Sequence, residues 1–380
     1  MNKVLSGIGL FFVLFILFFP LDFLGSFQKT ISLFLFEDLT KLLIGFVPGH
    51  HQFRIDFSSD SISMFILVGV LICISVILSS FIKGKHSQTL LFLSKEAIIL
   101  YLIVIFMKYG FDKVFKGQFY LPEPNILYSR FGNLDKDILF WSTIGTSRFY
   151  SVFTGLMELC AAILIIFNRT RVLGLIVSLG VLIPILAINL GFDISVKLFS
   201  MILIGMVMFA LKENWVILYH FFITGKEAKI INVISEVPVA FLIGFKTLFL
   251  GIATVIILYP YISSGNYNDD TMKRPSVHGV FRNINRDSEM QYIFFHRQGY
   301  LIFMDKEEKM QDFRYTVVSD HDLLLEDYKG RKIHAELHYQ KKDSLLTLTL
   351  GQKSWETKEE NWKKMNALKP LFHMTIEDAE

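Results

Sequence analysis

Residues 148–200 read RFYSVFTGLMELCAAILIIFNRTRVLGLIVSLGVLIPILAINLGFDISVKLFS. They contain two apolar segments of membrane-spanning length, which are joined by the basic turn at 168–171, and the beginning of a third segment. Glu158 lies inside the first segment. Three more polar residues cluster where the second segment ends and the third begins: Asn189, Asp193 and Lys197. This pattern predicts a bundle of membrane helices with polar groups in its interior.

Similar apolar segments occur on both sides of this stretch. We predict about seven membrane spans, at 4–24, 61–82, 95–114, 148–167, 172–190, 196–211 and 238–262. Residues 27–46 have a helical period and are predicted to lie along the membrane surface. The predicted regions are N-terminal spans with an exported loop at 1–92, a transmembrane core at 93–211, an interfacial helix with the last span at 212–262, and a soluble domain at 263–380.

The basic residues predict how these spans are oriented. The short connections at 83–95, 168–171 and 212–229 are rich in Lys and Arg and contain few acidic residues. Such connections remain in the cytoplasm. Seven spans then place the N-terminus in the cytoplasm and residues 263–380 in the periplasm of a bacterial inner membrane protein.

The C-terminal region alternates between apolar and polar residues. Strand-length runs such as QYIFFH, YLIFM, IHAELHY and LLTLTL are separated by turn sequences such as RQG, DYKGR and QKKDS. About six to eight strands are expected at this spacing. The pattern predicts an all-β meander that closes into a small barrel or forms a sandwich.

Ionisable residues within the predicted spans need partners, because an unpaired charge in a bilayer is costly. We expect Glu158 to pair with a lysine from a neighbouring span, and the candidates are Lys108, Lys197 and Lys246. Two further pairs have a spacing of four residues, Lys108 with Asp112 and Asp193 with Lys197. These groups predict a polar pocket that opens outward, with Glu158 at its floor and residues 115–147 as its lid. The alternative is that they are structural ion pairs and helix caps.

Other features of the composition carry less information. The formal net charge of +3 is too small to predict binding to nucleic acid. The two cysteines, Cys73 and Cys160, lie inside apolar spans, so we expect both to be small, buried core residues. The sequence contains none of the common nucleotide-binding, hydrolase or zinc-protease motifs.

Two groups of histidines are weak candidates for ligand binding. His334, Glu336 and His338 alternate along one predicted strand and therefore share a face, where they either bind a metal or form a solvated surface. His50 and His51 lie in a predicted exported loop, where contact with the surface or with lipid headgroups is a simpler interpretation than metal binding.

Several short motifs in the core are similar to those of a known family. They are Tyr109-Gly-Phe-Asp-Lys113, Gln118-Phe119, Gly155-Leu-Met-Glu158, Arg169-Thr-Arg171, and Asn189-Leu-Gly-Phe-Asp193 followed by Lys197-Leu-Phe-Ser200. Over about 93–211 the chain resembles the DoxX-like family of bacterial four-helix membrane proteins. The ending at Lys369–His373 is similar to that of larger members with a C-terminal soluble domain.

The resemblance implies a link to thiosulfate:quinone oxidoreductase and to redox-associated membrane subunits, with quinone as a candidate cofactor. It also implies that Glu158, Asn189, Asp193 and Lys113 occupy recurrent polar positions of the family. The chain lacks catalytic cysteines, which argues against thiol chemistry of its own. The overall architecture also resembles that of vitamin-K-dependent carboxylase-like membrane proteins.

Three functions follow from these patterns. The first is a DoxX-like accessory or redox-associated subunit that binds a quinone or a lipid in the outward pocket. The second is a non-enzymatic assembly or cargo-binding component whose exported β domain binds another membrane or periplasmic protein. The third is a membrane enzyme that modifies a lipid or protein with Glu158 or Lys108 as its base.

Overall fold

A computed structural model describes residues 2–21, 23, 25–47, 55–82, 84–225, 239–319, 321–369 and 375. The chain forms two compact units. The helical unit comprises Met1–Gln118 and Phe149–Tyr267, and the barrel unit comprises Phe119–Arg148 and Asn268–Glu380.

In the part of the chain that the structure describes, seven helices of the helical unit overlap the seven predicted spans. The helices of this unit are α1 (Asn2–Phe18), α2 (Ser26–Ile44), α3 (Ile62–Phe81), α4 (Lys85–Val114), α7 (Arg148–Ile166), α8 (Arg171–Gly191), α9 (Lys197–Leu211), α10 (Trp215–Tyr219) and α11 (Val239–Ser264). Of these, α4 begins ten residues before its predicted span, α2 overlaps the predicted surface helix, and α10 lies in the predicted interfacial region. A π-helix at His220–Thr224 follows α10. The helices α5 (Pro124–Leu127) and α6 (Lys136–Thr146) come from the segment that belongs to the barrel unit.

Within the described residues, five helices are long and apolar enough to cross a membrane. The number becomes six if α9 and the helix after it, which meet at 88°, form one broken span. The first predicted span corresponds to the shorter apolar helix α1.

Contacts near the helix ends show which helices run in the same direction as α4. Near the starts of α1 and α4, the hydroxyl groups of Ser6 and Ser87 hydrogen-bond at 2.6 Å. Arg171 at the start of α8 and Lys246 in the first half of α11 both form ion pairs with Glu96, in the first half of α4. The helices α1, α8 and α11 are therefore parallel to α4.

The remaining long helices run in the opposite direction. Gly7 of α1 packs against Ser79 near the end of α3. Glu213, just after α9, pairs with Lys95 in the first half of α4, and Gly155 in α7 packs against Gly110 late in α4. The order α1, α3, α4, α7, α8, α9 and α11 thus alternates in direction. The helices α1 and α3 run in opposite directions, so α2, which lies between them in the sequence, connects their ends and is not a further crossing of the bundle.

The strands of the barrel unit form an antiparallel meander that closes into a barrel, with β1 paired to β8. They are β1 (Gly279–Asn283), β2 (Met290–Phe295), β3 (Tyr300–Asp305), β4 (Met310–Val317), β5 (Asp322–Glu326), β6 (Lys332–Gln340), β7 (Leu345–Leu350) and β8 (Lys353–Glu360). The all-β meander prediction is confirmed, with a barrel rather than a sandwich.

Alternate side chains fill the barrel interior. The buried cluster includes Phe281, Ile293, Phe295, Leu301, Phe313, Leu323, Leu325, Leu337, Leu346 and Leu348. Eight strands enclose a space that bulky side chains can fill, so these residues form the core of the domain. The apolar residues at every second position of the strands are therefore the ones that face the barrel interior.

The segment 119–148 packs against the outside of strands β1 to β3. Leu121, Leu127 and Tyr128 contact a second apolar cluster that contains Phe294 and Ile302. The Tyr128 hydroxyl group donates a hydrogen bond to Glu360 at 2.6 Å. The predicted lid at 115–147 is therefore, from residue 119 onward, part of the barrel unit.

The prediction for the cysteines was wrong. Cys73 in α3 and Cys160 in α7 are both exposed on the outside of the helices, and both are free thiols. An all-apolar helix has no polar face that reveals its outer side, so the sequence pattern could not separate buried from exposed positions.

Candidate functional site

Glu158 pairs with Lys113, which was not among its three predicted partners. The Lys113 ammonium donates to both carboxylate oxygens of Glu158 at 2.9 Å. Only 8% of the Lys113 side chain and 3% of the Glu158 side chain are exposed. The predicted partners are engaged elsewhere, Lys108 with Asp112 and Lys246 with Glu96. The prediction that Glu158 pairs with a lysine from a neighbouring helix is confirmed, but none of the three lysines proposed as its partner was the right one.

Two glycines explain this pairing. A β-carbon at Gly155 would lie 2.7 Å from the carbonyl oxygen of Gly110, so α4 and α7 approach each other too closely for side chains there. Lys113 and Glu158 each lie three residues after one of these glycines, on the same helix face. Side chains tilt toward the N-terminus of their helix, so in an antiparallel pair these two tilt toward each other. The repeated spacing of glycine and charge was the signal that our sequence analysis missed.

A second ion pair lies next to the first on α4, where Asp112 directly precedes Lys113. Lys108 pairs with Asp112 as predicted, and the Tyr261 hydroxyl group from α11 donates to the same carboxylate. The Lys108 ammonium lies 5.9 Å from the centre of the Phe23 ring. This pair is partly exposed, since 22% of the Lys108 side chain is accessible. It is therefore more accessible to a ligand than the pair of Lys113 and Glu158.

The remaining predicted residues organise the junction between α8 and α9. The Asn189 amide donates to the Ser200 hydroxyl oxygen at 2.8 Å, and Lys197 pairs with Asp193 at 2.7 Å as predicted. Asp60, which no sequence pattern singled out, accepts hydrogen bonds on its carboxylate from the backbone N–H groups of Lys197 and Leu198. These two bonds cap the first turn of α9, where backbone donors lack partners.

The opposite end of the helical unit contains a group of charges that the sequence analysis did not select. Glu96 of α4 pairs with both Arg171 and Lys246, and Lys95 pairs with Glu213.

The barrel unit contains a buried polar network that the sequence analysis also missed. Glu123 accepts a hydrogen bond from His278 at 2.8 Å, if that ring nitrogen carries the proton, and one from the Arg297 backbone N–H at 3.3 Å. The Arg297 guanidinium pairs with Asp269, which also accepts from Arg274 at 2.6 Å. The network thus joins the 119–148 segment to the start of the barrel and to the β2–β3 turn. No local pattern could have indicated contacts that span so many residues.

The environment of this network shifts the pKa values of its groups. Burial by itself raises the pKa of Glu123, but the hydrogen bond from His278 and the nearby charges of His296 and His278 bring it below its ordinary value. Burial likewise opposes ionisation of Asp269, and its hydrogen bond with Arg274 and the charge of Arg297 lower its pKa. Burial lowers the pKa of His296. The network therefore favours the ionised form of Glu123 and of Asp269.

The weak metal candidates lie on an exposed face. His334, Glu336 and His338 are exposed, whereas Ala335 and Leu337 between them are buried, so the predicted alternation is confirmed. Among the described residues, no group of three or more His, Cys, Asp or Glu side chains is arranged to hold a metal ion. His50 and His51 lie outside the described residues.

Comparisons with known proteins give one informative match. No protein-family model matches the chain, and no solved structure matches it. The Bacillus subtilis (strain 168) protein described as "Uncharacterized protein YwoB" is 35% identical over 107 residues, which cover 28% of this chain and 68% of that protein.

Proposed function

We propose, from the premise that this chain belongs to the same family as the Bacillus subtilis protein, that it is a DoxX-like accessory protein of the bacterial inner membrane. In this proposal, the helical unit anchors the chain and the barrel unit binds a protein partner in the periplasm. The anchor has no chemistry of its own.

The outside of the helical unit supports insertion into a membrane. Large apolar side chains are exposed there, including Phe65, Ile77 and Phe81 on α3, Phe153 and Ile163 on α7, Ile183 on α8, and Phe245 and Leu248 on α11. A soluble monomer rarely exposes apolar surface on so many neighbouring elements, whereas lipid tails favour it. The alternating direction of seven helices is compatible with seven crossings, including the short α1.

The distribution of basic residues supports the orientation. Lys85, Arg171 and Lys212 lie at the end of the helical unit where α4 and α8 begin and α9 ends. By the positive-inside rule, this end faces the cytoplasm. The ends of α4 and α11 lie at the opposite end, where the chain continues toward residues of the barrel unit. The barrel unit is then periplasmic.

The observation that carries the partner-binding function is the way the barrel unit is built. Its interior is filled by bulky apolar side chains. Its buried charges pair with one another through Glu123, Arg297 and Asp269. A closed barrel also lacks free strand edges, which protects it from non-specific strand pairing. Other molecules can therefore contact only the outer surface of this domain. Such a surface favours protein binding over catalysis.

Photo-crosslinking in intact cells tests this proposal. A photoreactive amino acid is placed at the exposed positions His338 and Lys358, and at the buried position Leu348 as the matched control. We expect the same partner to be crosslinked from the exposed positions and none from position 348. The proposal fails if outward positions on all eight strands give no discrete adduct.

A quinone or lipid pocket remains the second candidate, because Lys108, Asp112 and Tyr261 form a partly exposed polar group beside aromatic rings. The rings of Phe111 and Phe115 stack at 5.7 Å, and Phe115 contacts Tyr261 at 4.7 Å. Polar groups beside flat aromatic rings suit a quinone head. The buried Glu158 carboxylate is bound by Lys113 through both oxygens, which argues against its use as a catalytic base.

Extraction of the purified protein and mass spectrometry test the second candidate. We expect retained quinone, and a several-fold lower amount in the Lys108→Gln variant. The exposed Lys41 on α2 provides the control, since Lys41→Gln removes a lysine that is 57% exposed. A wild-type protein that carries no quinone under mild purification would rule this candidate out.

A further inference from the structure

The end of the helical unit where α4 begins carries a group of charges that we call the basic cluster. It consists of Lys95 and Glu96 on α4, Arg171 on α8, Lys212 and Glu213 after α9, and Lys246 on α11. Two ion-pair sets organise it, Lys95 with Glu213 and Glu96 with both Arg171 and Lys246. Each set connects α4 to residues distant in the sequence, so the cluster is a product of the fold.

The charges of the basic cluster do not balance. Four cations face two carboxylates, which gives a formal charge of 4 − 2 = +2. The neighbouring residues 226–238 lie outside the described part of the chain, and their two lysines and two glutamates add no net charge. The cluster therefore carries an excess of positive charge that an anion can neutralise.

The excess charge is largely removed from water. Only 14% of the Lys95 side chain, 16% of the Arg171 side chain and 22% of the Lys246 side chain are exposed. Four cations that share two carboxylates repel each other more strongly when they are partly buried than they would on an open surface. The helices hold them close together nonetheless, which is typical of a site that binds an anion.

Lys212 is the cation with unused hydrogen-bonding capacity. Its ammonium nitrogen is buried and has no hydrogen-bond acceptor among the described residues. It lies 3.8 Å from the centre of the Phe209 ring, which attracts the charge but accepts no conventional hydrogen bond. A buried ammonium group normally has an acceptor, so this geometry points to an oxygen from outside the chain.

Apolar surface lies beside the cluster. Leu173, Trp215, Val216, Phe245 and Phe249 are all exposed large apolar residues near the charged positions in the sequence of α8, α10 and α11. A free phosphate ion would make no favourable contact with this apolar surface, whereas the acyl chains of a lipid would cover it. Lys and Arg clusters at the cytoplasmic side of membrane helices favour anionic headgroups.

We propose that the basic cluster is a binding site for the phosphodiester headgroup of an anionic phospholipid. The phosphate oxygens accept hydrogen bonds from Lys212 and neutralise the cluster, and the acyl chains lie against the apolar side chains of α8 and α11. This inference rests on the membrane insertion in the proposed function, but not on partner binding by the barrel unit.

The test uses the full chain, purified in detergent and stripped of lipid. Its melting temperature and its bound species in native mass spectrometry are measured with added phosphatidylglycerol, phosphatidylcholine or inorganic phosphate. We expect phosphatidylglycerol alone to raise the melting temperature and to remain bound. Equal effects of phosphatidylcholine, or an effect of inorganic phosphate as large as that of phosphatidylglycerol, would overturn the proposal.

Variants show where the lipid binds. We expect Lys212→Gln to lower the apparent affinity for phosphatidylglycerol about tenfold, and Lys212→Arg, which keeps the charge, to restore most of it. Lys41→Gln removes an exposed lysine from α2 and should have no effect. If Lys212→Gln and Lys41→Gln bind phosphatidylglycerol equally well, the site is not at the basic cluster. This outcome would not change the photo-crosslinking of a partner to the barrel unit. The lipid site and partner binding by the barrel unit can therefore fail separately.

Discussion

Gly155 has no room for a side chain, since the closest atom to an added β-carbon is a backbone oxygen of α4 at 2.7 Å. We expect Gly155→Ala to push α4 and α7 apart and to destabilise the helical unit by about 1–3 kcal/mol. Thermal or denaturant unfolding of the purified protein in detergent measures this change.

Gly180 in α8 is the matched control for Gly155. It also lies inside an apolar helix, but no atom comes within 4 Å of an added β-carbon. Alanine is the better helix former, so Gly180→Ala should be neutral or stabilise the protein by up to about 1 kcal/mol. Equal losses of stability in both variants would contradict the close approach of α4 and α7.

The Lys113–Glu158 pair makes a second prediction at the level of single residues. Glu158→Gln removes the carboxylate that binds the buried Lys113 ammonium through both oxygens, and we expect a loss of about 3–5 kcal/mol in the free energy of unfolding. Replacement of both residues by apolar residues of similar size should cost much less, because no charge then remains buried.

Asp193 supplies the control for this loss. Its side chain is 85% exposed, so its pair with Lys197 contributes little. The backbone there is left-handed at φ 54°, a conformation that asparagine tolerates. Asp193→Asn should therefore change the stability by less than about 0.5 kcal/mol. A loss as large as that of Glu158→Gln would mean that burial does not determine the effect.

At the scale of elements, the network around Glu123 makes the attachment of the 119–148 segment sensitive to acid. The folded state lowers the pKa of Glu123, so its contribution to stability is present above the pKa of the unfolded state and is lost as the pH falls below about 4.3. The pKa of His296 is also lowered, so protonation of this histidine opposes folding as the pH falls below about 6.5. Both groups act in the same direction.

Melting temperatures of the purified chain between pH 7.5 and pH 3 check this prediction. We expect stability to fall toward acid in the wild type. Glu123→Gln should already be less stable at neutral pH, since His278 and Arg297 lose an ionised partner. Its stability should change less than that of the wild type as the pH falls below about 4.3. The exposed Glu336 on β6 is the control, and Glu336→Gln should follow the wild-type curve.

The elements differ in how far the sequence predicts them. The helices and strands follow from apolar runs and alternation, because those patterns record burial within one element. Lys108 with Asp112 and Asp193 with Lys197 were predictable because a spacing of four residues places both groups on the same face of the helix. The Glu123 network joins residues more than a hundred positions apart, so only the fold brings them together.

Glu158 lies between these two cases. The cost of a charge in an apolar segment predicts that it has a partner, but several lysines meet that condition. The close approach at Gly110 and Gly155 selects Lys113. Gly110 precedes Lys113 and Gly155 precedes Glu158 by the same three residues, and this shared spacing is the pattern in the sequence that indicates Lys113 as the partner.

At the scale of the whole molecule, our proposal requires the two ends of the helical unit to face opposite sides of the membrane. Seven helices of alternating direction place Lys85, at the start of α4, and Tyr261, near the end of α11, at opposite ends. The chain continues from α11 into the barrel unit. An even number of crossings would instead leave both the N-terminus and the barrel unit on the same side.

Labelling of engineered cysteines in intact cells separates these arrangements. In a background with Cys73→Ser and Cys160→Ser, we expect a membrane-impermeant maleimide to label His338→Cys on the barrel and not Lys85→Cys. After the cells are opened, both positions should react, which shows that each thiol is accessible. Labelling of Lys85→Cys but not of His338→Cys in intact cells would reverse the orientation. It would also place the basic cluster away from the anionic inner leaflet, so this experiment tests the common basis of both proposals.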